Sequence, residues 1–105
     1  MSDRYLEMPD LDDLELPTVL HALADPVRVE IVTALADGEQ ACGSFPLPVS
    51  DSTRSHHLKI LRDAGITATR VVGTQRLVSL RRKELDKRFP GLLDLAVTAG
   101  REQRG

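Results

Sequence analysis

The side chains best suited to chemistry in this 105-residue chain are concentrated between Ser50 and Gly65. The stretch combines hydroxyl, imidazole and basic groups in a span that one helix of about four turns would contain. At about 100° per residue, one face of that helix is small, polar and basic and consists of Ser52, Ser55, His56 and Lys59. Short hydroxyl side chains let a helix approach a nucleic acid closely, so that backbone amides face phosphate while side chains reach base edges.

A catalytic interpretation of the same stretch would rest on the residue types of a hydrolase triad, namely Asp51, Ser55 and His56. All three lie on the first turns of one predicted helix. They are accompanied by neither an oxyanion hole nor a nucleophile elbow. We therefore predict that the chain is not an enzyme.

A second polar group follows the helix, around Gly73-Thr74. Segments 66–72 and 75–80 are rich in Val, Thr and Leu, and a two-residue Gly-Thr connection between such segments predicts a β-hairpin. The polar and basic residues near its tip are Arg70, Thr74, Gln75 and Arg76. Arginine on such a loop is suited to phosphate contact or to a narrow minor groove. The helix and the hairpin would together hold a duplex.

The net charge of −2 conceals two halves of opposite sign. Residues 1–40 contain ten acidic and two basic residues, a net −8, whereas residues 41–105 contain twelve basic and six acidic residues, a net +6. Ten of those twelve bases fall between Arg54 and Arg88. Charges further apart than a Debye length of about 10 Å are largely screened, so this local positive field is what a nucleic acid would encounter.

Apolar spacing and cap signals predict the elements that position these groups. Residues 10–23 are predicted to form one helix broken near Pro17. Asp25-Pro26 then predicts the start of a second helix, which Asp37-Gly38 ends. Segment 41–49 contains a glycine and two prolines, so any helix in it is short.

The later elements follow from the same signals. Ser50 or Ser52 caps the polar helix, and Gly65 occupies the position where a left-handed terminating residue is expected. After the hairpin come a charged helix over 81–88 and an apolar helix beginning near Leu92. The predicted fold class is mainly α (α+β): a winged helix-turn-helix of about five helices with a two-stranded β-hairpin wing.

The length fits one compact domain, for which we predict a flexible tail over 1–9, a domain over 10–99 that binds DNA and dimerises, and a C-terminal tail over 100–105. Cys42 is the one cysteine and cannot form an intrachain disulfide. No signal-peptide pattern opens the sequence, and no apolar run approaches the roughly 20 residues that span a bilayer. A cytoplasmic protein without a membrane role is expected.

The runs LADPVRVEIV (23–32) and STRSHHLKILRDAG (52–65), followed by Arg70 to Leu80, resemble the ArsR family of winged-helix repressors. These motifs occur in the family's order and cover about residues 18–98. The resemblance implies a homodimer that binds an imperfect palindrome near a promoter and releases it when an effector arrives. The candidate DNA-contacting residues are Ser50, Ser52, Thr53, Arg54, Ser55, His56, Lys59, Arg70, Thr74, Gln75 and Arg76.

The resemblance also implies that the first and last helices join two subunits. The candidate dimerisation residues are Leu11, Leu14, Leu16, Leu92, Leu93, Leu95 and Ala96. In such a dimer the two recognition helices would lie roughly 34 Å apart, one turn of the duplex. Repression is the sign of control that the resemblance implies, and the effector is unidentified.

Two departures from the family concern metal sensing. Metal-sensing members carry two neighbouring cysteines before the recognition helix, whereas Ala41 to Phe45 offers only the thiol of Cys42. Other members bind metal with Asp and His on the last helix, and residues 92–105 contain no histidine. One thiolate does not satisfy a soft-metal site, so we predict no metal and no cofactor. Cys42 is either a small buried hydrophobic residue or a candidate sensor of an oxidant or ligand.

Several alternatives remain open from the sequence. His57 lies on the inward face beside Leu58, which favours a structural role, whereas His56 either contacts DNA or is simply solvated. A winged helix whose basic half binds an acidic protein is the main rival to DNA binding. A metal or redox sensor within the same family is the second.

Overall fold

The computed structural model describes residues 4–45 and 47–104, which form five α-helices and one four-stranded antiparallel sheet. The helices are α1 (Leu16–Leu23), α2 (Pro26–Leu35), α3 (Asp51–Asp63), α4 (Arg82–Arg88) and α5 (Leu92–Arg104). The strands are β1 (Arg4–Tyr5), β2 (Gln40–Ala41), β3 (Thr67–Val72) and β4 (Gln75–Leu80). Short 3-10 turns cover Leu11–Asp13 and Cys42–Ser44. Within the described ranges, no helix has the length and apolar character needed to cross a membrane.

The cap signals in the sequence define the ends of α2 and α3. Asp25 Oδ1 accepts hydrogen bonds from the backbone N–H groups of Val27 (2.8 Å) and Arg28 (3.2 Å) at the start of α2. Ser50 Oγ accepts from the Thr53 N–H at 3.2 Å at the start of α3. At the other end of α3, Gly65 has φ +86°, and the next residue donates its N–H to the carbonyl of Leu61. This glycine-dependent stop turns the chain directly into β3.

The predicted hairpin is confirmed, and it is the centre of a larger sheet. Strands β3 and β4 pair from Thr67↔Leu80 to Val72↔Gln75, which leaves Gly73-Thr74 as the two-residue turn. The strand order is β1-β3-β4-β2, so a two-residue strand flanks each side of the hairpin. The sequence did not predict these two flanking strands, because β1 and β2 contain only two residues each, too few to show an alternating pattern.

The expectation of a flexible tail over 1–9 is corrected for residues 4–9, which are the part of it that the structure describes. β1 pairs with β3, and the Leu6 N–H donates to the Thr69 carbonyl at 2.9 Å. Pro9 is held as well, because its carbonyl accepts a 2.7 Å hydrogen bond from the guanidinium of buried Arg81. Residues 4–9 therefore adopt a defined path across the sheet and α3. Residues 1–3 lie outside the described ranges.

At the other end, the predicted tail over 100–105 is helical up to Arg104. Gly100 is buried where α5 crosses α2, and a Cβ added there would overlap Thr33 Oγ1. Glycine at this position lets the two helices approach closely. The last turn of α5 is therefore part of the packed domain.

The core is aliphatic and joins all five helices to the sheet. Its fully buried members include Val19, Ile31, Leu61, Ile66, Val78 and Leu85. Leu14 and Leu93 also belong to it, with 1% and 2% of their surface exposed. These two leucines were predicted at a dimer surface, and that assignment is corrected, because each is already covered by its own chain. The architecture is that of a winged helix.

Candidate functional site

The polar face of α3 is exposed as predicted. Ser52, Ser55, His56 and Lys59 are all accessible, whereas Leu58 and Leu61 face the core. Ser50, Ser52 and Thr53 form a hydroxyl cluster at the helix start, in which Ser50 Oγ lies 3.2 Å from Ser52 Oγ and 3.0 Å from Thr53 Oγ1. The helix therefore presents a group of hydroxyls to solvent at its first turn.

Helix α3 and the hairpin meet at a cleft of about 210 Å³. The lining residues from α3 are Ser55, Leu58, Lys59 and Arg62, those from the sheet are Thr69 and Arg76, and Leu6 and Cys42 complete the walls. The two elements therefore lie on the same side of the molecule. Since α3 is polar there and the hairpin is basic, this side can hydrogen-bond to an extended anion such as a nucleic acid backbone.

The basic side chains around this cleft differ in their ion pairs. Lys59 contacts Asp63 at 2.7 Å, and Arg54, which is largely buried, pairs with Asp51. Arg76 is exposed and forms no ion pair within residues 4–45 and 47–104. Arg62, which the sequence analysis had not selected, is half-buried and likewise has no ion-pair partner in that part of the chain. These two arginines are the basic groups at the cleft that remain available for an external anion.

Arg70 is placed differently from the other predicted residues. It pairs with Leu77 in the sheet, whereas Arg76 pairs with Val71, so the two arginines point to opposite faces. Its guanidinium binds both carboxylate oxygens of Glu39, at 2.7 and 3.0 Å. Thr74 and Gln75 are exposed at the hairpin tip. The structure thus brings Ser55, Lys59 and Arg76 together and places Arg70 on the far face of the hairpin.

A buried arginine that the sequence analysis missed holds α3 in place. Arg28 of α2 donates from Nε to the Ala22 carbonyl at 2.6 Å and from Nη2 to the His21 carbonyl at 3.4 Å, both in the last turn of α1. Its Nη1 lies 3.1 Å from Nδ1 of His57. Because a guanidinium only donates, Nδ1 accepts and the imidazole proton is on Nε2. Arg28 therefore links three helices, and the structural role expected for His57 has a specific partner.

Asp25 strengthens the same junction. Burial alone would raise the pKa of its carboxyl group, but the backbone N–H groups of Arg28 and Val27 and the charge of Arg28 outweigh burial and lower the pKa below its ordinary value. A carboxyl group with a lowered folded-state pKa stabilises the fold at neutral pH. That contribution is lost as the pH falls through the lowered value.

Cys42 lies half-buried in a 3-10 turn at the wall of the cleft. Burial raises the pKa of its thiol, although the nearby charges of Arg76, Arg54 and Arg62 partly oppose this. A raised pKa keeps the thiol protonated and less nucleophilic, which favours the small-hydrophobe interpretation. Among the described residues, no three His, Cys, Asp or Glu side chains are grouped to hold a metal ion.

On a different side of the molecule, α1 and α5 form an apolar groove of about 270 Å³. Its lining includes Leu20, Leu23, Val29, Leu92, Leu95, Ala96 and Ala99. Leu95 is 67% exposed, and Leu16 and Leu20 are about half exposed. Of the predicted dimerisation residues, Leu92, Leu95 and Ala96 line this groove, Leu16 lies on the same helix as Leu20, and Leu11 is partly buried.

Comparison with known proteins identifies relatives of the whole domain. Residues 25–67 match the family model described as bacterial regulatory protein, arsR family. The chain is 33% identical over 94 residues to an uncharacterized HTH-type transcriptional regulator, YceK of Bacillus subtilis, covering 86% of this chain and 94% of the relative. It is 39% identical over 74 residues to the arsenical resistance operon repressor of Staphylococcus xylosus, covering 69% and 71%.

Solved structures show the same architecture. The structure of HlyU from Vibrio cholerae superposes with a TM-score of 0.68 at 27% sequence identity, covering 79% of this chain and 88% of that one. The matched part of that structure extends well beyond residues 25–67.

Proposed function

The chain belongs to the ArsR family of bacterial regulatory proteins, which are DNA-binding regulators of transcription, and from this premise we propose that it acts as a homodimeric repressor on a palindromic operator. The observation that supports the proposal most strongly is the shared cleft. Ser55 and Lys59 of α3 lie beside Arg76 of the hairpin. A helix in the major groove and a hairpin on the adjacent backbone would then contact one duplex simultaneously.

The predicted residues would contact different parts of the duplex. Ser52, Ser55 and His56, exposed on α3, would face base edges. Lys59 and Arg76, with Ser50 and Thr53 at the helix start, would contact the phosphodiester backbone. Thr74 and Gln75 at the hairpin tip would add neutral hydrogen bonds. Arg70 makes a smaller contribution, because its guanidinium is engaged by Glu39 on the opposite face of the sheet.

Operator binding should weaken steeply with salt, because each neutralised phosphate releases a counterion. A dimer that makes about six phosphate contacts should lose on the order of a thousand-fold in affinity between roughly 50 and 200 mM salt. Gel shifts and fluorescence anisotropy with a duplex from the gene's own upstream region would measure this. A scrambled duplex of equal length is the control. A flat salt dependence, or binding only to an acidic protein, would contradict the proposal.

Homodimerisation through the α1–α5 groove should be sensitive to a charge at Leu95. We expect Leu95→Glu to weaken self-association at least about 100-fold, because a carboxylate would be buried in the apolar contact without a partner. Analytical ultracentrifugation should then report the 11.6 kDa chain mass instead of twice that value. Thr98→Glu is the matched control, since Thr98 is exposed on α5 and does not line the groove. A dimer that tolerates Leu95→Glu would exclude this surface.

A further inference from the structure

The N-terminal strand β1 extends the hairpin by a third strand on the side of β3. Arg4 is the Cα partner of Val71, and Val71 is in turn the partner of Arg76 on β4. Directly opposed residues of antiparallel strands have their side chains on the same face of the sheet. Arg4, Val71 and Arg76 therefore form one row across three strands, with an arginine at each end.

This row is on the sheet face that is turned toward α3. Side chains alternate along a strand, so Thr69 shares the face of Val71. Thr69 is buried and lines the cleft together with Ser55, Leu58 and Arg62 of α3. Leu6, two residues after Arg4, lines the same cleft. Arg4 therefore lies on the same face of the sheet as the residues that line the cleft, two strands away from Arg76.

The cleft has the composition of an anion site. Its lining, given above, contains no carboxylate, and it includes the hydroxyl groups of Ser55 and Thr69. Arg4, Arg62 and Arg76 form no ion pair with any residue that the structure describes. The adjoining groove is different, because Glu7, Asp10, Asp13 and Asp63 line it. The cationic surface therefore ends at Arg62, which borders both spaces.

We propose that this cleft binds a phosphodiester group of the duplex backbone, with Arg4, Arg62 and Arg76 as the donors. The N-terminal strand β1 then contributes a DNA contact to the wing through Arg4. The inference rests on the proposed DNA-binding function and adds two residues and one strand to it. A guanidinium can donate two hydrogen bonds to one phosphate, which suits a narrow cleft better than an ammonium group does. A free phosphate ester has the same chemistry and is separated from DNA by the experiment.

The test compares Arg4→Ala and Arg62→Ala with Lys87→Ala. Lys87 is the matched control because it is an exposed base on α4, away from the cleft. We expect each of the first two variants to lower operator affinity about five- to tenfold and to reduce the magnitude of the salt slope by about two, one for each subunit of the dimer. Affinity for unrelated DNA should fall by the same five- to tenfold, because a phosphate contact carries no sequence information. Lys87→Ala should change affinity less than about twofold.

The possible outcomes separate this inference from the function on which it rests. If the unchanged protein fails to bind duplex DNA, the proposed function is wrong. If it binds DNA with a steep salt dependence while Arg4→Ala and Arg62→Ala bind equally well, only the present inference is overturned. Circular dichroism melting of each variant checks that affinity changes are not losses of fold.

A further arm uses inorganic phosphate at constant ionic strength, with chloride as the reference anion. We expect phosphate to lower operator affinity no more than chloride does, because the group assigned to the cleft is a phosphodiester that the bound duplex holds in place. Saturable release of DNA by phosphate that disappears in Arg62→Ala would identify a free phosphate ligand instead and would overturn the assignment to the DNA backbone.

Discussion

Replacing Ser55 by glutamate is expected to lower operator affinity at least about 100-fold, equivalent to about 2.7 kcal/mol. Ser55 is exposed on α3, and it lines the cleft opposite Arg76. A carboxylate at this position would face the phosphates of a bound duplex, and like charges brought together in an interface cost several kcal/mol. The fold should be unaffected, because glutamate is a good helix former and the position is solvent-accessible.

Fluorescence anisotropy with a labelled operator would measure this change, and urea unfolding would check the fold. Ser55→Ala removes the hydroxyl without adding charge and should cost much less. Thr98→Glu adds the same charge on an exposed position of α5 and should leave affinity within about twofold, since it lies outside the cleft. Operator affinity retained in Ser55→Glu would show that α3 is not the helix in the groove.

Replacing Arg28 by methionine is expected to destabilise the domain by about 3 kcal/mol. Methionine keeps most of the length of the side chain but none of its donors. The Ala22 carbonyl and the Nδ1 atom of His57 would lose this partner in a region where Arg28 is only 8% exposed, whereas the His21 carbonyl would keep the N–H of Ala24. Unsatisfied buried acceptors cost more than a hydrogen bond contributes on average.

Thermal and urea unfolding at fixed protein concentration would test this, with a Tm lowered by roughly 10–20 °C. Arg101→Met is the matched control, because Arg101 is exposed and forms a surface ion pair with Asp37 at 3.3 Å. That pair should be worth less than about 1 kcal/mol. Equally small losses in both variants would show that the link among α1, α2 and α3 is not needed for stability.

The parts of the fold that the sequence predicts well are those set by local backbone chemistry. Asp25 and Ser50 cap helices because their side chains reach N–H groups two or three residues ahead, and no tertiary contact is required. Gly65 ends α3 because a left-handed residue is easiest for glycine. The hairpin at Gly73-Thr74 is equally local. These signals fix the order of the elements and place the polar helix before the hairpin.

The parts that could not be predicted depend on contacts between distant residues. β1 and β2 contain two residues each and become strands only because β3 and β4 offer them free edges. The burial of Leu14 and Leu93 is decided by packing of the whole domain, and both look like surface leucines of amphipathic helices in the sequence. From the sequence, Gly100 is predicted to begin a tail, because its close packing against Thr33 and Val29 of α2 is a tertiary contact.

The opposite orientations of Arg70 and Arg76 can be predicted from the sequence. A two-residue turn at Gly73-Thr74 makes Val71 the partner of Arg76 and Leu77 the partner of Arg70. Residues 70 and 76 must then point to opposite faces, so only one of the two arginines can face α3. Arg62 is not among the DNA-contacting residues predicted from the sequence, yet its charge has no ion-pair partner among the described residues, whereas that of Lys59, which was predicted, is paired with Asp63.

The position of β1 has a practical consequence for anyone who prepares the protein. An affinity tag at the N-terminus would be joined close to β1, which is the edge strand beside β3 and contributes Arg4 to the arginine row. Basic tag residues there would add cations near the surface assigned to the duplex and would steepen any measured salt dependence. Affinities intended for comparison between variants should therefore be measured after cleavage of such a tag.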